Sequence, residues 1–167
     1  DYEKHMSDET VGQLQVLSEI TRAILELHKP ESFVLLGCCT GNGLEHINNS
    51  VTGKVYGIDI NPEYLEITRK RFGDIIPRLK LICTDINTGN IPVSEADMVF
   101  AALIFEYVNI GTAVKKISEC LNKRGKTIVV IQKNNHNRFV SETNCPSLLQ
   151  LAGISKEVNE YEIVKAF

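Results

Sequence analysis

Five short apolar-rich runs, Ser32–Leu36, Lys54–Ile58, Leu79–Cys83, Asp97–Leu103 and Lys126–Ile131, restrict the folds open to this chain more than any other feature. A strand with one wet face alternates apolar and polar residues. Continuous runs suit parallel strands covered by helices on both faces. The segments between the runs read as helical. Leu44–Asn48 is short. Pro62–Phe72 is clearer, with Asn61 placed to cap, Pro62 at the first helical position and Gly73 placed to terminate. Val108–Leu121 carries Val114, Ile117 and Leu121 at helical spacing and closes at Asn122–Gly125. Ahead of the first run, Val11, Leu14, Leu17, Ile20, Ala23 or Ile24, and Leu27 line one face of a long amphipathic helix that stops near Pro30. Strand and helix thus alternate at least four times, which predicts an open α/β fold with right-handed crossovers. Pro146–Leu151 reads as a last helix and Tyr161–Phe167 as a final strand. With no linker, repeat or low-complexity tract, the 167 residues read as one domain, a helix over 1–30 followed by a core over 31–167.

Composition removes several function classes. Lys and Arg number 18 against 21 Asp and Glu, a net charge of −3, so no global field gathers phosphates and nucleic-acid binding is disfavoured. No run approaches the roughly 18 apolar residues of a membrane span, and no apolar leader opens the chain. Cys38, Cys39, Cys83, Cys120 and Cys145 are odd in number, lack CxxC spacing and mostly sit in apolar runs. They read as reduced, buried thiols of a cytoplasmic protein. His5 and His28 have no companions at metal-ligand spacing, so no metal site is expected. His46, on the first short helix, reads as a surface or packing residue.

Three features carry chemistry. The first run leads directly into Gly37-Cys38-Cys39-Thr40-Gly41-Asn42-Gly43, whose glycines free the backbone where unpaired amides and a helix N-terminus can meet an anionic group. The second run ends at Asp59, 16 residues beyond Gly43, where a carboxylate is placed to accept from ribose hydroxyls. The third ends Cys83-Thr84-Asp85-Ile86, where Asp85 can accept from an exocyclic amine and the Ile86 backbone can address a ring nitrogen. An ordinary loop cap explains Asp85 equally well. All three fall at the C-terminal ends of successive strands, the edge on which open parallel sheets bind ligands. No GxxxxGK[ST] stretch is present.

In order, these motifs resemble those of class I S-adenosylmethionine-dependent methyltransferases. Leu35–Gly43 is similar to their first motif, Tyr56–Asn61 to the second and Thr84-Asp85-Ile86 to the third. Asp97–Leu103 with Phe105-Glu106-Tyr107-Val108 resembles the fourth-strand region, and Leu121–Lys126 the turn before the fifth strand. The resemblance spans roughly residues 30–132. It implies a Rossmann-like, mostly parallel twisted sheet with helices on both faces and S-adenosylmethionine as cofactor. Gly37, Cys38, Cys39, Gly41 and Gly43 would pass the methionine moiety. Asp59 would hold the ribose with Ile60 packed on the adenine, Asp85 and Ile86 would read the adenine edge, and the backbone near Ala101 would lie beside the sulfonium. The N-terminal helix would cover the site. Two positions depart from the family: Leu35 stands where an acid is usual and Cys39 where glycine is usual. The tail also departs, because only one strand can be placed after Gly153 where the family has an antiparallel pair.

The implied reaction is displacement at an activated methyl carbon, in which alignment, desolvation and, for some acceptors, proton removal fall to the protein. Glu106, Tyr107 and His136 are the acceptor-side candidates, and two have a plain structural alternative: helix-start electrostatics for Glu106 and a solvated loop for His136. Ala101-Ala102-Leu103-Ile104 replaces the Asn/Asp-Pro-Pro-aromatic tetrad of nucleic-acid amino methylases, and basic–aromatic interleaving is absent. A small-molecule acceptor is therefore preferred. A protein or RNA presented by a partner is the alternative, and a noncatalytic binder of S-adenosylmethionine or S-adenosylhomocysteine is the second reading. A nicotinamide oxidoreductase ranks third, because after Gly37 the next glycines stand at +4 and +6 rather than in GxGxxG spacing.

Overall fold

A computed structural model describes residues 13–133 and 155–167. Helix α1 (Gln13–His28) precedes strand β1 (Ser32–Leu36), a 3-10 turn at Leu44–His46, β2 (Lys54–Asp59), α2 (Pro62–Phe72) and β3 (Leu79–Cys83). The chain continues through β4 (Ala96–Ala102), α3 (Ile110–Cys120), β5 (Leu121–Val130) and α4 (Glu160–Ala166). The five strands form one parallel sheet in the order β3-β2-β1-β4-β5. Sequence order therefore reverses between β1 and β4, and the loops that follow those two strands diverge to form a crevice at the C-terminal edge.

Both faces of the sheet are covered at its centre, where β1 is buried throughout, as the unbroken apolar runs require; the edge strands β3 and β5 carry no fully buried residue. Phe33 and Leu35 of β1 join Val55, Met98 and Phe100 under α1 and α2. Val34 and Leu36 face the other way, joining Ile58, Val99 and Ala101 under α3 and α4. The opposite, N-terminal end of the sheet is pinned by Asp97. Its Oδ2 accepts from the Glu31 and Ser32 amides, both at 2.9 Å, and its Oδ1 accepts from Asn122 Nδ2 at 2.6 Å.

The helices start where their caps stand. The Asn61 side chain accepts from the Glu63 amide at 2.9 Å, with Pro62 next in line. Asn109 accepts from Thr112 N at 2.9 Å, so α3 begins at Ile110 rather than Val108. β5 opens at Leu121, paired with Ala96, and slips register before Lys126 pairs with Met98; the expected turn at Asn122–Gly125 is this irregularity.

Two expectations are corrected. Tyr161–Phe167 is not a strand: residues 161–166 lie in α4, and Phe167 caps its end. Asn159 caps that helix by accepting from Tyr161 N at 2.9 Å, Glu160 and Glu162 occupy the first turn, and Ile163 is buried against the α3 side of the sheet. Cysteine burial is also mixed: Cys38 and Cys120 are buried, but Cys39 is half-buried and Cys83 exposed. β3 is an edge strand, which leaves Cys83 open to solvent. Cys145, His136, His5 and the segment expected as a helix at Pro146–Leu151 lie outside the described residues.

Candidate active site

The Gly37–Gly43 segment turns back over the end of β2. The Gly37 and Cys38 amides both donate to the Ile58 carbonyl, at 2.8 and 2.9 Å, and the Cys39 amide donates to Asp59 Oδ2 at 2.8 Å. Asp59 Oδ1 accepts from Asn61 N at 2.8 Å, so one buried carboxylate joins the glycine loop to the start of α2. From α2, Thr68 Oγ1 donates to the Cys39 carbonyl at 2.9 Å and Arg71 donates to that of Thr40 at 3.0 Å. These two residues hold the loop and were missed in the sequence, where nothing marks a helical Thr or Arg as bound to a loop 29 or 31 positions away.

Cys39 stands at φ 45°, the left-handed conformation that glycine adopts without strain. The residue that departs from the family thus keeps the backbone shape a glycine would have. Leu35, the other departure, is 4% exposed in the core beneath α1 and α2. Gly37 abuts the loop after β4, where a Cβ would come within 3.0 Å of Ile104 Cδ1. Ile104 thus packs directly against Gly37 where the loops after β1 and β4 meet.

The remaining candidates line the same edge. Ile60 is 64% exposed immediately beyond Asp59, a large apolar side chain with a free face. Asp85 forms a closed turn, with Oδ1 accepting from Asn87 N at 2.8 Å and Oδ2 from Thr88 Oγ1 at 3.0 Å. The Ile86 side chain is buried under α3. Ala101 lies one residue inside β4, fully buried and in register with Leu36 and Val129; Leu103, at φ 53°, is the first residue beyond the strand. Burial pushes the Tyr64 and Tyr107 phenols up, and both lie within electrostatic reach of Cys39. His46 packs against α1, with Nε2 2.8 Å from Ser18 Oγ. Among the described residues no cluster of three metal-ligating side chains occurs.

Glu106 is 3% exposed and ties several segments together. Its Oε1 accepts from Gln132 N at 2.8 Å, its carbonyl accepts from Lys156 N at 3.0 Å, and Gln132 in turn accepts from Gln13 at the start of α1. Its Oε2 is buried with no partner among the described residues. Burial pushes this carboxyl above its ordinary range, against the pull of the Gln132 amide. A carboxyl raised in the folded state binds its proton more tightly there. Its contribution to stability is therefore full below the unfolded pKa and lost as pH rises through the folded one. Glu106→Gln, which keeps an acceptor for Gln132, is expected to gain thermal stability relative to the wild type as pH rises through and above the ordinary carboxyl range. A stability difference that stays flat over that range would refute the burial argument.

Residues 34–129, more than half of the chain, match the methyltransferase-domain family. The chain belongs to that family. The Rossmann-like fold and the resemblance to a methyltransferase domain read from the motifs are borne out together. Solved structures, methyltransferases among them, share the fold. A TehB-like S-adenosylmethionine-dependent methyltransferase from Corynebacterium glutamicum is 17% identical over 65% of this chain and 59% of its own, with a TM-score of 0.55. Coclaurine N-methyltransferase, bound to N-methylheliamine and S-adenosylhomocysteine, is 20% identical over 66% of this chain and 34% of its own, with a TM-score of 0.57. DesVI from Streptomyces venezuelae is 18% identical over 78% and 54%, with a TM-score of 0.55. The domain thus spans between about a third and three fifths of the length of these three structures. No curated protein sequence matches it. No helix among the described residues is long and apolar enough to cross a membrane.

Proposed function

We propose that this domain binds S-adenosylmethionine along the C-terminal edge of its sheet and transfers the methyl group to a small-molecule acceptor. The observation that carries the reading is the Asp59 carboxylate, buried at the end of β2, bonded to the glycine loop and followed by the exposed Ile60. The donor set fits the cofactor: a carboxylate for ribose hydroxyls, an apolar face for a purine, and glycines with positive φ at Gly37, Gly41 and Gly43 that let backbone approach the methionine portion.

The bound sulfonium supplies an activated methyl carbon and a neutral leaving group. The protein's share is binding and alignment. Asp59 fixes the ribose, Asp85 and Ile86 read the adenine edge, and the Gly37–Gly43 backbone lies along the amino acid portion. The loop after β4 forms the acceptor side, where Tyr107 is 36% exposed and Glu106 lies beneath the chain that returns at Lys156. In this reading the Tyr107 phenol orients the acceptor, and Glu106 holds the loop through Gln132 and Lys156. Helix α1 contributes a cover over the loop: Asn42 Nδ2 donates to the Leu14 carbonyl at 3.0 Å, and Gly43 abuts Thr21. The small-molecule assignment rests on the absence of an Asn/Asp-Pro-Pro-aromatic tetrad after β4 and of a basic, aromatic-lined groove in the sequence.

Calorimetric titration with S-adenosylmethionine, S-adenosylhomocysteine and NAD tests the reading. Micromolar binding of the two sulfur nucleosides and none of NAD is the expected result. Preference for NAD, or no binding of either sulfur nucleoside, would overturn it. The positive-φ Cys39 keeps a noncatalytic binder as the second reading, because a side chain here stands where the family places backbone alone. Transfer of labelled methyl to any small acceptor rules that reading out.

A further inference from the structure

Lys116 lies on α3, outside every motif, yet its ammonium donates to two backbone carbonyls of the loop after β3. The Nζ–O distance to Ile86 is 2.7 Å, and a second, shorter contact reaches the Gly89 carbonyl. The same loop has one further tether to the N-terminus of α3, where Asn87 Oδ1 accepts from Asn109 N at 2.8 Å. Inside the loop, Asp85 accepts from Asn87 N and Thr88 Oγ1, and Gly89 N donates to the Asp85 carbonyl at 2.7 Å. A Cβ at Gly89 would collide with Thr84 Oγ1, so the turn is closely packed.

These contacts leave one polar group of Ile86 uncommitted. Its side chain is 6% exposed in the core and its carbonyl is held by Lys116, while its N–H donates to no group among the described residues. A backbone donor beside the Asp85 acceptor matches an adenine edge, which offers the N1 acceptor and the N6 donor. Hypoxanthine presents the reverse pattern, an O6 acceptor and an N1–H donor. Purine selectivity therefore depends on where this one stretch of backbone is held.

We propose that Lys116 is a positioning residue for purine selectivity, gripping the Ile86 and Gly89 carbonyls so that the Ile86 N–H and the Asp85 carboxylate keep the spacing of an adenine edge. The inference rests on the cofactor reading above. Two neutral carbonyls need a donor with more than one N–H, which an ammonium provides and a methionine of similar length does not.

The test compares S-adenosylhomocysteine with S-inosylhomocysteine by calorimetry. The wild type is expected to prefer the adenine ligand by about tenfold or more, and Lys116→Met to lose about tenfold for it while changing less than about twofold for the inosine ligand. Lys116→Arg, with several donors, is expected to restore the preference. A merely structural lysine would weaken both ligands equally or neither, and either result overturns the inference. Should Lys116→Met fail to fold, Lys116→Leu, which also removes every donor, carries the same comparison. A wild type that binds both ligands without preference overturns the inference and leaves the cofactor reading standing. One that binds neither overturns the cofactor reading, and this inference with it.

Discussion

Replacing Asp59 by alanine is expected to weaken S-adenosylhomocysteine binding by roughly 10- to 150-fold, the range set by losing a charge-assisted hydrogen bond of about 1.5–3 kcal/mol. The same substitution should also lower stability, because the Cys39 and Asn61 amides lose the oxygens that hold them at 2.8 Å. Two amides left unmet suggest about 2–4 kcal/mol, or a fall of roughly 5–15 °C in the melting temperature of a domain this size. Asp59→Asn should lie between wild type and alanine. Its carbonyl oxygen can serve one amide, but its NH2 would face the other, donor against donor. Calorimetry and thermal melts on the same samples separate the two effects. A folded Asp59→Ala variant with unchanged affinity would remove Asp59 from the binding site.

Gly43→Ala is expected to be the second large change, acting from the other end of the loop. Gly43 stands at φ 94°, and an added Cβ would lie 2.6 Å from Thr21 Oγ1 and 2.8 Å from Thr21 Cβ. The second contact cannot be relieved by turning a rotamer, since Thr21 Cβ is fixed to the backbone of α1. Either the helix or the loop must move. Overpacking of this kind and a left-handed alanine together are expected to cost about 2–4 kcal/mol. Gly53→Ala is the matched control, with nothing within 4 Å of the added atom. Equal denaturant midpoints for the two variants would show that α1 is not seated on the loop as closely as these distances require.

Much of this architecture was legible because its causes are local. The unbroken apolar runs reflect strands with two dry faces, and Asn61-Pro62 marks the start of α2 through the cap it makes. The candidate site was legible in outline, since Gly37–Gly43, Asp59 and Asp85 each stand at the end of a strand that the pattern had located. What the sequence hid depends on contacts between distant segments. Lys116, Thr68 and Arg71 sit on amphipathic helices beside ordinary core positions, and only the folded chain brings them to a carbonyl on another loop. The tail failed for a different reason. Tyr161 and Ile163 alternate with Glu160 and Glu162 as in a strand, so over so short a stretch the period pointed the wrong way; Asn159 followed by Glu160 and Glu162 was the available signal for a helix start.

The Asp97 knot has a mechanical meaning. It gathers the entry to β1, the entry to β4 and the irregular start of β5 at the end of the sheet away from the candidate site. It works as a clamp at the foot of the sheet, fixing where β1 and β4 begin. The ladder from Phe33–Met98 to Leu36–Ala101 carries that placement unchanged to the opposite edge. Both lips of the candidate site therefore stand on one common base, and any accommodation of a ligand falls to the loops beyond Leu36 and Ala102 rather than to the strands.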